Sequence, residues 1–443
     1  MKYLYFPFAV CCFLLSSASL GATTVDTLIL ELISETPISP GNTLAVVPDQ
    51  LDRPYLYVAA KEGGVYVVDA ADPLQPQVIQ NLPIDSLGQL EVMNAMQEGQ
   101  LLYLSLGNFF GAGQQEPGLA ILDLSDPENV FVRGFWKGDS VIKGSTFVLV
   151  DGDYAYLGAM TAGIQVFNVS DPNAPEWISA FVPPVDFPDP NPSTNNNHNV
   201  RSMAVQGDNL WVCYDAGGLR QIDKSDPYNL QELNRYINPV PQPKPQAYNN
   251  ILLNGNLAYI AVDYCGFEIL DISDPANIQE VAWWNPWACD GPDNIWFNSP
   301  GHTNQLAYNA EHQLVFLSAG ASELLVLDVS NPSQPERCQS WGMPDNLRAA
   351  WGIAADPNYL YGAYINSPGI PFWGFWSGVL MVNWTDLTAT TAEPTAPTKG
   401  FVGRRNPFQD FLSFDLVLPE ADRGALRLYD QQGQLKWQTM LEL

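Results

Sequence analysis

Seven stretches decide the fold: GVYVVDAADP (64–73), GLAILDLSDP (118–127), GIQVFNVSDP (163–172), GLRQIDKSDP (218–227), GFEILDISDP (266–275), ELLVLDVSNP (323–332) and GVLMVNWTDL (378–387). Each is an apolar run that closes on Asp or Asn and passes into a short turn. The aligned residues are Asp69, Asp123, Asn168, Asp223, Asp271, Asp328 and Asn383, spaced 45 to 57 residues apart. A period near fifty filled with short strands is that of propeller blades, not of a helical solenoid. Seven copies predict an all-β, seven-bladed propeller.

Outward from the motif, two apolar runs joined by a tight turn precede it, as in FVLV-DGD-YAYLGA (147–159), MAV-QGD-NLWVCY (203–214) and ILL-NGN-LAYIAV (251–262). Such Gly turns favour the positive φ angles of two-residue hairpins. These runs are strands a and b, and the motif is strand c. Their nearly continuous apolar character suits strands covered on both faces by neighbouring blades. A more polar strand d follows the Asp-Pro turn, as in FVRGFW (131–136) and IQEVAWW (278–284). Blade seven lacks one, because its motif runs into a Thr/Ala/Pro segment. The run VDTLILELIS (25–34) has no a, b or c strand before it, so this N-terminal strand is expected to complete the last blade and close the ring.

The chain begins with Met1-Lys2, an apolar stretch from Leu4 to Leu15, and small residues from Ser16 to Ala22. That order predicts a secretory signal peptide over residues 1–22. The apolar stretch is shorter than the ~20 residues needed to span a bilayer, and no later segment reads as a transmembrane helix. A secreted, monomeric protein is expected. The balance of 19 Lys+Arg against 48 Asp+Glu, a formal charge of −29, excludes a nucleic-acid binder, which needs clustered cations. It leaves cationic partners open. Cys213, Cys265, Cys289 and Cys338 remain after the signal. They allow three pairings and show no zinc spacing, and with so large a core no structural disulfide framework is expected.

The cores VYVVD, LAILD and FEILD, with the Ser-Asp-Pro that follows in most copies, resemble the LVIVD repeat of bacterial and archaeal surface propellers. The likeness runs over about residues 25–387, within a propeller domain of 23–387. The last copy departs, with Leu387 in place of Pro. Residues 405–440 resemble the C-terminal sorting domain of the type IX secretion pathway of Bacteroidota. The match rests on Asn406-Pro407-Phe408, the alternating run Phe411 to Val417, and Leu426 to Asp430 before a Gln-Gly turn. The resemblance implies a small β-sandwich-like sorting segment over 401–443, shorter than such domains usually are. It also implies handling by an outer-membrane secretion machinery, with release or retention at the cell surface. Residues 388–400 read as the linker.

The repeated D-x-S-D-P turns invite a metal reading, but an Asp or Asn in every blade is better explained as a cap on turn amides, with Pro fixing the next φ. No calcium-loop motif occurs, and no metal or cofactor is expected. The a–b turns (Gly152, Gly207, Gly255) and the c–d turns are short. The insertions at 106–118, 182–199, 285–302 and 366–377 are all b–c or d–a connections, which share one face. That face is the expected functional surface.

Near the starts of its strands a stand Lys143, His198, Arg201, His302 and Arg348, groups able to hold an anion or move protons. Its insertions carry Trp287, Trp296, Phe372, Trp373, Phe375 and Trp376, rings that either bind sugar faces and protein partners or pack on one another. His312 falls on the opposite face. No G-x-S-x-G, H-E-x-x-H or phosphate loop is present. Two readings follow. One is a non-catalytic module binding a glycan or a protein through the long-loop face. The other is an extracellular hydrolase or lyase with His198 and His302 as its catalytic groups. The aromatic insertions favour binding.

Overall fold

The computed structural model describes residues 28–108, 115–139, 143–193, 197–241, 244, 246–343, 346–369 and 372–386, together with the backbone of four strands beyond residue 399. The signal-peptide residues 1–22, most of the 388–400 linker and Asn406-Pro407-Phe408 lie outside the described residues.

The first strand, β1 (Leu28–Pro37), stands apart in sequence from the blade it joins. Blade one holds β2 (Ala45–Pro48), β3 (Tyr55–Ala59), β4 (Val65–Asp69) and β5 (Gln77–Leu82). Blade two holds β6 (Val92–Glu98), β7 (Leu101–Leu106), β8 (Gly118–Asp123) and β9 (Phe131–Lys137). Blade three is β10 (Phe147–Asp151), β11 (Tyr154–Gly158), β12 (Ile164–Asn168) and β13 (Glu176–Phe181). Blade four is β14 (Ser202–Gln206), β15 (Asn209–Cys213), β16 (Leu219–Asp223) and β17 (Gln231–Tyr236). Blade five is β18 (Asn250–Asn254), β19 (Leu257–Ala261), β20 (Phe267–Asp271) and β21 (Gln279–Trp284). Blade six is β22 (Leu306–Asn309), β23 (Leu314–Ser318), β24 (Leu324–Asp328) and β25 (Glu336–Trp341). Blade seven takes β26 (Ala350–Ala355), β27 (Tyr359–Pro368) and β28 (Trp373–Asp386), with β1 antiparallel to β28. The chain is an all-β, seven-bladed propeller.

The apolar core is divided among the blade interfaces. Tyr57, Val67 and Leu104 join blades one and two, Trp211 and Ile260 join four and five, and Val58 and Tyr66 meet Tyr361 and Met381 between one and seven. Burial on both faces is why the a, b and c strands read as unbroken apolar runs.

Two local devices recur. Strand d carries a one-residue bulge against strand c in blades one to six, at Ile79, Arg133, Ile178, Leu233, Val281 and Cys338. The same shift occurs at Ile33 where β1 meets β28. The c–d turn is capped as its sequence suggests. Asp69, Asp123, Asn168, Asp223, Asp271 and Asp328 each accept a hydrogen bond from the amide two residues on, at 2.8–3.0 Å. In blade seven Asn383 instead donates to the Asn358 carbonyl at 3.2 Å.

The glycine that opens most strand-c motifs has a specific cause. Gly163 has φ +76°, and a Cβ there would lie 2.2 Å from the Phe181 carbonyl oxygen. Gly152, in an a–b turn, has φ +59° but nothing within 4 Å.

Beyond the propeller, Leu387–Leu443 form a second compact unit. It contains two antiparallel pairs, β29 (Gly400–Arg404) with β30 (Ser413–Val417), and β31 (Arg423–Tyr429) with β32 (Leu435–Glu442).

Gly163→Ala is expected to cost roughly 2–4 kcal/mol, because it adds a backbone clash to the left-handed penalty, whereas Gly152→Ala should cost only about 1 kcal/mol. Denaturant midpoints of the two variants check this, and equal midpoints would contradict it.

Candidate functional site

The site grows out of the b–c turns. Their second residue takes a left-handed φ: 44° at Lys61, 52° at Met160, 48° at Asp215, 32° at Asp263 and 57° at Gly320. That geometry turns its peptide groups toward the next blade, where it forms an isolated antiparallel bridge. The pairs are Lys61 with Val92, Met160 with Val200, Asp215 with Tyr248, Asp263 with Thr303 and Gly320 with Ala350. A similar bridge joins Gly107 and Gly144. In blades four and five this residue is an aspartate.

Asp215 is buried at 4 % exposure. Its carboxylate accepts the Asn199 side-chain amide at 2.6 Å and lies 3.6 Å from an Arg201 guanidinium nitrogen. Burial raises its pKa above the usual carboxylate value, with Arg201 pulling the other way. The Asp263 carboxylate meets His302 Nδ1 at 2.5 Å and accepts Trp296 Nε1–H at 2.8 Å. A carboxylate only accepts, so Nδ1 carries the proton. The His302 ring is 1 % exposed and packed among Trp296, Phe372 and Tyr264, with centroids 5.4, 5.2 and 6.4 Å away.

The 285–302 insertion is fastened by three kinds of contact. Cys265 in the b–c turn forms a disulfide with Cys289. The absence of a disulfide framework expected from the sequence is therefore corrected: one bridge ties this insertion to the b–c turn, while Cys213 and Cys338 are not bridged. The physical reason is local, since an insertion outside the blade cores needs its own anchor. Lys244 Nζ donates to the carbonyls of Cys289 at 2.8 Å, Asn294 at 2.7 Å and Gly291, which uses all three of its N–H groups. Trp287 lies over Gly301 and packs near Trp284 at 6.4 Å.

Together these segments wall a cleft of about 780 Å3, lined by Asn197, Asp215, Ala216, Lys244, Gln246, Ala247, Tyr264, Ile295, Trp296 and Phe297. Behind Gln246 a polar chain runs inward. Gln246 donates to the Asn238 carbonyl, Tyr248 Oη accepts the Asn238 amide, and Tyr248 donates to Glu268 at 2.7 Å. The Asn238 side chain donates to Glu280 at 2.9 Å. In blade four the positions matching Glu268 and Glu280 hold Arg220 and Glu232, an ion pair at 3.0 Å. Blade five has two acids instead, and burial pushes the Glu268 carboxyl up to about 7.

The remaining predicted residues are spread around the ring. Arg201 lines a small cavity of about 30 Å3 at the central channel, with Met93, Thr146, Asn249, Asn304 and Trp351. None of Lys143, His198, His302 or Arg348 lines it. The Lys143 carbonyl accepts the Asn108 amide beside the bridge of blades two and three. His198, in front of blade four, packs T-shaped on Tyr214 at 5.6 Å. Arg348 forms a bidentate pair with Glu35 of β1 at 2.9 and 3.0 Å, and its guanidinium lies 4.7 Å from the Trp376 ring. The 366–377 insertion is largely a hairpin continuing β27 and β28, with Asn366 opposite Phe375 and Pro368 opposite Trp373. Its aromatics therefore alternate: Trp373 and Phe375 are exposed, while Phe372 packs on His302 and Trp376 on Tyr364 at 5.6 Å.

Sequence reasoning brought Trp296, His302 and Phe372 to one place but passed over Asp215, Asp263, Lys244 and Gln246. The signal for the acids was their position in YDAGG (214–218) and VDYCG (262–266), where non-glycine residues must turn left-handed. Lys244 and Gln246 sit in a further d–a connection, between β17 and β18, whose Pro-rich sequence NPVPQPKPQ (238–246) marks it. Among the described residues no group of three His, Cys, Asp or Glu side chains could hold a metal ion.

Residues 54–82, 145–181, 248–285 and 316–340 match the LVIVD repeat. The chain carries LVIVD repeats. The matched segments fall on blades one, three, five and six. No curated protein matches the sequence. Among solved structures, the WD40 repeats of RRP9 are 11 % identical, covering 80 % of this chain and 97 % of that one, with a TM-score of 0.57. The structure of U3-55K is 11 % identical over 80 % and 98 %, also at 0.57. The β-propeller domain of Myceliophteria thermophila Cps50 (Swd1) is 12 % identical over 80 % and 99 %, at 0.51. At such identity the likeness is one of fold.

Glu268 gives the site a pH signature. The folded protein holds its proton up to about pH 7, whereas an ordinary glutamic acid releases it near 4.5. Between those values the folded state binds more protons, so stability falls as pH rises. Glu268→Gln should flatten that slope and raise stability at pH 8 by roughly 1–3 kcal/mol. Urea midpoints at pH 5 and pH 8 check this; an unchanged slope would assign the proton elsewhere.

Proposed function

We propose that this LVIVD-repeat propeller is an exported, non-catalytic binding module that takes a glycan or protein ligand in the cleft on its long-loop face. The observation that carries the reading is the cleft itself, an aromatic-walled concavity of about 780 Å3 whose wall is held by a disulfide and a triply bonded lysine. Pockets of this size with few polar groups are the usual form of ligand sites. The disulfide supports export, because such bonds persist in oxidising compartments. It agrees with residues 1–22 as a secretory leader and with the tail as a sorting segment read by an outer-membrane machinery. Binding is favoured over hydrolysis or lysis by the setting of His302, enclosed by aromatic rings with Asp263 on its Nδ1. His198 packs on Tyr214 of another blade.

In the same reading β1 acts as the latch of the ring. Its bulge at Ile33 repeats that of the six other d strands, and Arg348 clasps Glu35 across it. The protein works as a monomer, and the segment beyond residue 400 is a small β-sandwich-like domain.

Screening the mature chain against glycan and extracellular-protein panels tests the binding reading. A ligand should be found whose affinity falls about tenfold or more in Trp296→Ala/Phe297→Ala, and panels giving no ligand at all would refute it. Removal of residues 28–37 should lower the melting temperature far more than Glu35→Ala, a half-exposed pair worth about 1 kcal/mol or less. Equal shifts would reject the latch.

A further inference from the structure

The cleft leaves little that could hold a charged ligand. Among the described residues its one lining cation, Lys244, has all three N–H groups on carbonyls of the 285–302 segment. The field of a chain with formal charge −29 repels anions as well. The one lining acid, Asp215, is buried, accepts the Asn199 amide at 2.6 Å and has the Arg201 guanidinium at 3.6 Å. Burial favours its neutral form, so it exerts little pull on a cation. Nearby Asp263 is committed to His302 and Trp296.

Peptide groups that an extended segment could pair with are also taken. The Asp215 carbonyl accepts the Tyr248 and Gly218 amides at 3.2 and 3.1 Å, and the Ala216 amide donates to the Asn197 carbonyl at 2.9 Å. On the 285–302 side, the Ile295 amide donates to the Asn298 side chain at 2.8 Å, and the Asn298 amide donates to the Ile295 carbonyl at 3.1 Å. What stays available is of two kinds. Trp296 and Phe297 are 36 % and 65 % exposed. Trp296 is fixed in place by its N–H on Asp263 and by edge contacts with His302 and Phe297. A platform held this way loses little freedom on binding. The exposed Asn197 carboxamide presents a donor and an acceptor side by side.

An apolar ligand would cover that carboxamide without replacing its hydrogen bonds to water, which costs free energy. A sugar ring answers both surfaces. Its C–H face covers an aromatic ring, and two adjacent hydroxyls, each a donor and an acceptor, match a carboxamide. We infer that the cleft binds an uncharged glycan, one sugar ring seated against Trp296 and Phe297 with adjacent hydroxyls on the Asn197 carboxamide. The inference rests on the binding reading above and narrows it to one ligand class.

The test applies the full mature chain to an array of uncharged glycans and of uronate or sulfated glycans on the same backbones. The tightest uncharged hit is then titrated by calorimetry beside its acidic counterpart and blocked hexalysine and hexaproline peptides. It should bind about tenfold or more tightly than the acidic glycan and than either peptide. Phe297→Ala, at an exposed ring, should weaken it about tenfold. Asn197→Asp, which removes the donor at an exposed position, should weaken it by about the same factor. Both positions lie outside the core, and melting curves of the two variants check that the fold is intact.

An acidic counterpart that binds as tightly would overturn the uncharged assignment. A peptide that binds more tightly would overturn the glycan while leaving the binding module intact. Unaltered affinity in either folded variant would place the ligand elsewhere and overturn the inference. An array without an uncharged hit overturns it as well, and only an empty protein panel in addition removes the binding reading.

Discussion

A single backbone constraint sets the ring. In five blades the second residue of the b–c turn turns left-handed and its peptide groups bridge the start of the next blade, while Gly107 of blade two makes the equivalent bridge without a positive φ. The blades otherwise meet through apolar side chains, which pack well but are tolerant of sliding. The bridge fixes register where packing does not, because its directional hydrogen bonds cannot be kept under a one-residue slip. Among the described residues six of the seven interfaces carry one. Between blades seven and one the work passes to side chains, with Ser377 Oγ accepting the Thr43 amide at 3.0 Å and Asn42 accepting the Asn366 amide at 2.8 Å.

This constraint also places the candidate chemistry. The side chain at the bridging residue costs the fold little, so its identity is open to use: Lys61, Met160, Asp215, Asp263 and Gly320 all occupy it. Two successive acids there bring carboxylates to the mouth between blades four, five and six. The connections that vary most in length supply everything else. The 237–249 segment brings Lys244 and Gln246, and the 285–302 segment brings Trp296 and Phe297, fixed by its own disulfide. Asp263 in turn orients both His302 and Trp296. A regular scaffold thus carries an irregular site on one arc of its rim.

The regular part was legible because period, turn chemistry and burial all left marks in the sequence. Strands a to c showed as apolar runs, the glycines before them marked positive φ, and the Asp-Pro turns announced their own caps. The N-terminal run read as 25–34 pairs with β28 over Leu28–Pro37 and runs on to just short of the Ser39-Pro40-Gly41-Asn42 turn, while residues 25–27 lie outside the described residues. The site was much less visible. Nothing distinguishes Asp215 and Asp263 among 48 acidic residues except a turn position that matters only once the neighbouring blade is present. The 366–377 stretch hid its alternation behind Gly and Pro, so an extended hairpin read as a loop. The Cys265–Cys289 spacing of 24 residues carries no signature of its own. Long-range proximity, not local propensity, creates these features.

The bulge repeated in every outer strand has a consequence for how the sheet margins meet other chains. A ring of seven sheets exposes seven rows of unpaired peptide groups along its circumference. A flat row of that kind is a template on which another extended chain can add itself, and addition can then continue from ring to ring. One surplus residue, at Ile33, Ile79, Arg133, Ile178, Leu233, Val281 and Cys338, breaks the spacing of donors and acceptors midway along each row and sharpens its twist. An incoming strand meets only two or three groups in step before the pattern fails. Such a margin resists strand addition without needing a charge or a proline on each sheet edge.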